Sequence, residues 1–95
     1  MPEMMFRVRW PDGELATCFS PSTIVAQRLI AMHDYPVSEF TQVARAALEE
    51  ANVRVRARFG MGCAHAIAQI EQIELRAAEF ASDPDATVRV EGFDQ

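Results

Sequence analysis

The sequence predicts a single α+β domain, residues 1–95, in which a three-stranded antiparallel sheet carries two antiparallel helices on one face. Three patterns lead to this fold class. Two segments of alternating apolar residues open the chain, two helical stripes separated by a glycine corner follow, and a third alternating segment closes it. The resulting order, β-β-α-α-β, is typical of two-layer α+β domains. A chain of 95 residues has room for one core only.

The first predicted element is a hairpin. The segment MMFRVRW alternates with the two-residue period of a half-buried strand. In the PDG that follows, Pro11 presets the first turn position and Gly13 supplies a left-handed residue, which favours a three-residue loop with a bulge. This closure pairs Phe6 with Cys18, so we expect Cys18 to point into the core.

The other face of the hairpin is too apolar for a plain solvent face. It carries Met5, Arg7, Arg9, Leu15 and Phe19. Because a helix pair covers only one face of a sheet, these residues form a candidate interface, most simply with a second copy of the chain. The alternative is that residues 22–37 fold back and cover this face within one chain.

The conformation of residues 22–37 is ambiguous. Ser22 or Thr23 could cap a short helix, but the apolar cluster that follows fits a helix or a buried strand equally well. We favour one short extra helix after the second strand. Pro36 biases Tyr35 toward extended backbone.

Two long helices are predicted next. The first begins after Ser38 and ends at Gly60, which should adopt the left-handed conformation. The second resumes after Gly62 and stops near SDPD, and the segment ATVRVEGF is the third strand. Helical periodicity places Asn52 and Gln69 on the polar sides. The apolar stripes comprise Phe40, Ala44, Ala47, Leu48, Ala51, Val55 and Phe59 in the first helix, and Cys63, Ala66, Ile67, Ile70, Ile73, Ala77 and Phe80 in the second.

The segment RFGMGCAHAIAQ holds the candidate thiol site, Cys63 with His65. A helix N-terminus favours the thiolate form of a cysteine, which suggests a small thiol-dependent enzyme or redox-responsive protein as the alternative function. However, Cys63 also begins an apolar stripe, and residues two apart on a helix do not face each other. The two side chains therefore cannot form a catalytic pair, and we favour a helix corner with a packed thiol.

Composition and charge argue against several other classes. The net charge is -5, and the arginines are spread from Arg7 to Arg89 instead of forming the clustered basic surface that nucleic acid requires. No run approaches the roughly 20 apolar residues of a membrane span, and the N-terminus lacks the plan of a signal peptide. We therefore expect a cytoplasmic protein that binds neither nucleic acid nor membrane.

The sequence gives no sign of a catalytic centre. Zinc-ligand spacing, a phosphate-binding loop and a nucleophile–base pair are all missing from the sequence, which predicts a non-catalytic protein without a cofactor. The favoured interpretation is a small accessory or interaction protein that acts through self-association or by binding a partner enzyme.

Four segments carry a resemblance to a known family. RVRWPDG, CFSPSTIV, YPVSEF and VRVRARFGMGC resemble the small bacterial family of nitrogen starvation response proteins, and the resemblance extends over nearly the whole chain. Such proteins are encoded in gene clusters with a nitrilase, a radical S-adenosylmethionine enzyme and an acyltransferase. The resemblance implies a bacterial cytoplasmic setting in nitrogen or nitrile metabolism and a cluster-encoded enzyme as a possible partner. It assigns no catalytic residue.

Overall fold

A four-stranded antiparallel sheet and three helices make up residues 3–95, the part of the chain that the computed structural model describes. In chain order they are β1 (Met4–Arg9), β2 (Leu15–Ser20), α1 (Val25–Arg28), β3 (His33–Pro36), α2 (Val37–Phe59), α3 (Ala64–Ala78) and β4 (Thr87–Asp94). The strands lie in the order β2-β1-β4-β3. None of the helices in residues 3–95 combines the length and the apolar character that crossing a bilayer requires.

The predicted α+β class is confirmed, but the predicted number of strands is wrong. The sheet has an extra edge strand, β3, which pairs antiparallel with β4 so that Tyr35 lies opposite Val88. β3 has only four residues and ends at Pro36, whose nitrogen has no hydrogen to donate to a ladder. Such a short strand forms because β4 provides a partner, and this partner lies far away in the sequence.

The hairpin has the predicted register. Phe6 lies opposite Cys18, and both are buried against the helices. Gly13 has a φ of 89°, and the Trp10 N–H donates to the Glu14 carbonyl oxygen across the turn at 2.9 Å. The turn residues therefore determine which side chains of β1 and β2 enter the core.

The part of residues 22–37 that precedes β3 packs beside α2. The predicted short helix is α1, and Val25 and Leu29 are buried in the core. Arg28 forms an ion pair with Glu50 of α2 at 2.9 Å, and the Tyr35 hydroxyl accepts a hydrogen bond from the Ile30 N–H. The alternative in which this segment covers the other face of the sheet is therefore wrong.

α2 is close to its predicted bounds, whereas α3 ends at Ala78, before Phe80 and short of the predicted stop near SDPD. The apolar stripes of both helices are only partly buried. In α2 the stripe is buried from Phe40 to Ala51, whereas Phe59 is 61% exposed. Residues 56–62 are all exposed, since the last turn of α2 extends beyond the elements that cover its earlier turns. On α3, Ile67 is also exposed. The burial of Phe59 and Ile67 that the periodicity predicts is wrong.

Gly60 ends α2 in the predicted left-handed conformation, with a φ of 82°. We expect Gly60→Val to lower the free energy of unfolding by about 1 kcal/mol or more, because a β-carbon is disfavoured at this φ. An ideal β-carbon there would meet nothing within 4 Å, so the cost is backbone strain and not a clash. Gly60→Asn should cost less, because asparagine tolerates this conformation. Equal melting temperatures for the wild type and the valine variant would contradict this account of the helix end.

Candidate interaction surface

The sheet face opposite the helices, here called the open face, is covered by ion pairs between strands. Arg7 and Arg9 are exposed or half-buried on this face, but neither has a free guanidinium. The pairs are Arg7 with Asp94 at 2.9 Å, Arg9 with Glu91 at 3.1 Å and Arg89 with Asp34 at 3.2 Å. Carboxylates of the chain itself thus already bind both arginines. Each positive charge on the face has a negative charge beside it, which leaves the face nearly neutral.

Two apolar side chains lie among these charges. Met5 is 37% exposed and Leu15 is 47% exposed, near opposite ends of the β1–β2 hairpin. Gly92 lies opposite Arg7 in the neighbouring strand, and an ideal β-carbon on it would come within 2.6 Å of the Arg7 Nη2 atom. The absence of a side chain at Gly92 thus lets the Arg7 guanidinium lie close to the sheet. The surface of the open face therefore consists of arginine side chains together with the apolar residues Met5 and Leu15.

Phe19 is paired as predicted but is not exposed. It lies opposite Met5 in the ladder, yet it is only 7% exposed. Its ring stacks on the His65 ring of α3, with centroids 4.1 Å apart and an angle of 8° between the planes. Phe19 is near the end of an edge strand, where α3 packs beside it, and its ring therefore contacts the helix. The prediction that Phe19 joins the exposed residues of the open face is wrong.

The structure separates the two members of the candidate thiol site. Cys63 is the half-buried N-cap residue of α3, and its N–H donates to the Asn52 Oδ1 atom. His65 is exposed but stacks on Phe19, and the hydrogen bonds of the described residues include none between it and Cys63. Burial raises the pKa of the other thiol, that of Cys18, to about 12. Among residues 3–95, no group of three or more His, Cys, Asp or Glu side chains is arranged to hold a metal ion.

Two polar residues that position these elements were missed by the sequence analysis. Asn52 and Gln69 belong to the polar sides by periodicity, but they are 9% and 7% exposed. The Gln69 Oε1 atom accepts the Phe19 N–H at 2.9 Å, and Asn52 accepts the Cys63 N–H. Each amide therefore satisfies a backbone donor outside its own helix. The only feature of the sequence that could have indicated their burial is the position of each side-chain amide next to an apolar stripe, since an amide can both donate and accept hydrogen bonds.

A family model described as nitrogen starvation-induced protein NitG matches residues 5–93. The chain belongs to this family. The match includes all three helices, nearly all of the sheet and every candidate residue from Met5 to His65. It confirms the resemblance found in the sequence and connects the chain with nitrogen starvation. Comparison with curated proteins and with solved structures gave no match.

Proposed function

We propose that this chain is a non-catalytic interaction protein of the nitrogen starvation response, and that it acts by binding a second copy of itself through the open face. Family membership supports the physiological setting, which we take to be the bacterial cytoplasm and nitrogen or nitrile metabolism. The observation that carries the molecular role is the one-sided sheet: α1, α2 and α3 all pack on the same side. A cluster-encoded enzyme is the other candidate partner for this face.

The charge arrangement on the open face favours self-association. The three arginines are matched by three carboxylates, so two copies can approach without net repulsion. In a two-fold dimer each patch meets its own copy, and an arginine can then exchange its carboxylate for the equivalent one of the second chain. Met5 and Leu15 supply the apolar contact.

The size of the face sets the expected strength of the dimer. With strands about 4.8 Å apart and residues about 3.3 Å apart, four strands that average six residues give a plane of roughly 400 Å². A standard interface buries about 800 Å² of accessible surface on each partner. We therefore expect a weak dimer that forms at micromolar concentrations.

The face variant, Met5→Asp with Leu15→Asp, tests this proposal, because it places two unpaired charges in the contact. When the concentration of the wild type is raised through the micromolar range, the mass measured by light scattering should reach at least that of a dimer. The face variant should have a clearly lower mass at each concentration. The matched control is Ile67→Asp with Leu75→Asp on the exposed side of α3, which should associate like the wild type.

Two results would contradict the open face as the interface. One is a wild type that keeps the monomer mass at all these concentrations, which would favour a partner enzyme. The other is a face variant that associates as well as the wild type. Circular dichroism should show that both double variants keep the native helix content.

A thiol-dependent function centred on Cys63 is the alternative. The observation that supports it is the position of the half-buried thiol at the start of α3. Cys63 lies outside the open face. Our proposal therefore requires that the Cys63→Ser variant associates with itself as the wild type does.

A further inference from the structure

The corner between α2 and α3 has an unusual combination of charge and exposed apolar surface. Phe59 and Met61 are 61% and 73% exposed. Within residues 3–95, every arginine other than Arg56 and Arg58 lies within 3.8 Å of a carboxylate oxygen. The arginines without an ion pair in the described chain thus stand next to its exposed phenylalanine. We call Arg56, Arg58, Phe59 and Met61 the basic corner.

The helix dipole accounts for only part of this corner. Arginines in the last turn of a helix interact favourably with its negative end. That effect does not account for two large apolar side chains exposed beside them. In a chain with a net charge of -5, an apolar and basic projection is complementary to an acidic apolar surface.

Such a surface lies at the other end of the same molecule. A groove of about 610 Å³ separates the first turns of α2 from the end of α3. The residues that line it include Val37, Ala77, Phe80 and Asp83, and the exposed Asp85 lies two residues further along the chain. We call this the acidic groove. Its volume falls within the range of roughly 300–1,000 Å³ found for sites that hold small organic ligands.

The two surfaces are too far apart to meet within one chain. The acidic groove includes the first turn of α2, and the basic corner includes its last turn. The 23 residues of this helix span about 34 Å at 1.5 Å per residue. The longest dimension of the molecule is 40 Å, so the surfaces lie at its opposite ends.

We propose that the basic corner of one copy docks into the acidic groove of a second copy, with Phe59 in the groove and Arg56 and Arg58 against Asp83 and Asp85. This contact is separate from the open face. Because the two contacting surfaces differ, each copy in a pair keeps one free corner or one free groove, and the contact builds chains or rings instead of closing after two copies. The charges are exposed, so salt should weaken the contact.

The experiment uses the face variant, Met5→Asp with Leu15→Asp, as the parent protein, so that the open face makes no contribution. The parent should gain mass with concentration and lose it with added salt. A corner variant adds Phe59→Asp and Met61→Asp, and a groove variant adds Ala81→Arg at an exposed position of the groove. Each variant alone should stay monomeric. An equimolar mixture should form a dimer and nothing larger, because the groove variant keeps its corner and the corner variant keeps its groove.

The matched control for the groove is Ala68→Arg, the same substitution at an exposed position of α3 more than two turns before the groove residue Ala77, which should associate like the parent. For the corner, the control is Ile67→Asp with Leu75→Asp. A monomeric parent, a corner variant that associates like the parent, or a mixture that stays monomeric would each overturn the head-to-tail contact. None of these results affects the open-face proposal, which depends on the difference between the wild type and the face variant.

Discussion

Trp10→Ala is expected to lower the free energy of unfolding by about 3–5 kcal/mol, the range for removing a large aromatic side chain from a core. Trp10 is 3% exposed, immediately before the hairpin turn. Its ring packs edge-on against Phe40 of α2, with centroids 5.7 Å apart, and stacks with Phe80, which follows α3, at 6.1 Å. Truncation to alanine therefore opens a cavity where the hairpin meets both long helices.

Arg76 adds to this effect. Its guanidinium lies 5.5 Å from the Trp10 ring centre and 5.0 Å from that of Phe80, and it forms ion pairs with Asp12 and Glu14 of the hairpin turn. The hydrogen bond from Arg76 lowers the pKa of Asp12 below its usual value. Loss of the indole leaves Arg76 without one of its two aromatic neighbours.

Urea denaturation measures the effect of Trp10→Ala, and Trp10→Phe is the matched control. Phenylalanine keeps a ring beside Phe40 and should lose clearly less stability than alanine. If alanine at position 10 costs less than about 1 kcal/mol, the ring does not join the hairpin to the helices as described.

Gln69→Leu is expected to cost about 1–3 kcal/mol, because it leaves the buried Phe19 N–H without an acceptor. β2 is an edge strand, so no neighbouring strand can take over this donor. Leucine has a similar size but offers no oxygen. The amide of Phe19 should therefore exchange with solvent faster in the variant, beyond the general loss of stability.

The control is Gln42→Leu, at an exposed position of α2, where the hydrogen bonds of the described residues include none from the side chain. It should change both the stability and the exchange of Phe19 little. A Phe19 amide that remains protected in Gln69→Leu would show that the hydrogen bond to α3 does not hold the edge of the sheet.

Local chemistry explains which parts of the fold could be predicted from the sequence. The conformations of Pro11 and Gly13 set the hairpin register, and the register decides that Cys18 is buried and Leu15 is exposed. Gly60 ends α2 by the same kind of local preference. These features depend on residues within a few positions of one another.

The features that escaped prediction depend on distant segments. β3 exists because β4 lies beside it, and the ion pair between Asp34 and Arg89 joins residues 55 positions apart. The pair between Arg7 and Asp94 spans 87 positions. Alternation along β1 can show that Arg7 lies on the outer face, but it carries no information on which carboxylate is beside it.

The sequence also does not show which residues at the ends of the helices and strands are buried. The apolar period of α2 continues to Phe59, although the last turn of this helix is exposed, so periodicity alone predicted burial for an exposed ring. For Phe19, strand pairing alone predicted exposure, but the side chain is buried because α3 covers this end of the edge strand β2.

An isotope-filtered nuclear Overhauser measurement on a mixture of labelled and unlabelled copies tests the central claim, that the open face binds a second chain. At micromolar to millimolar concentrations, the methyl groups of Met5 and Leu15 should give contacts to protons of the other copy. Ile67 and Leu75 on α3 are at least as exposed as Met5 and Leu15, and their methyl groups should give none. A wild type whose intermolecular contacts arise elsewhere, with none from Met5 or Leu15, would contradict the account.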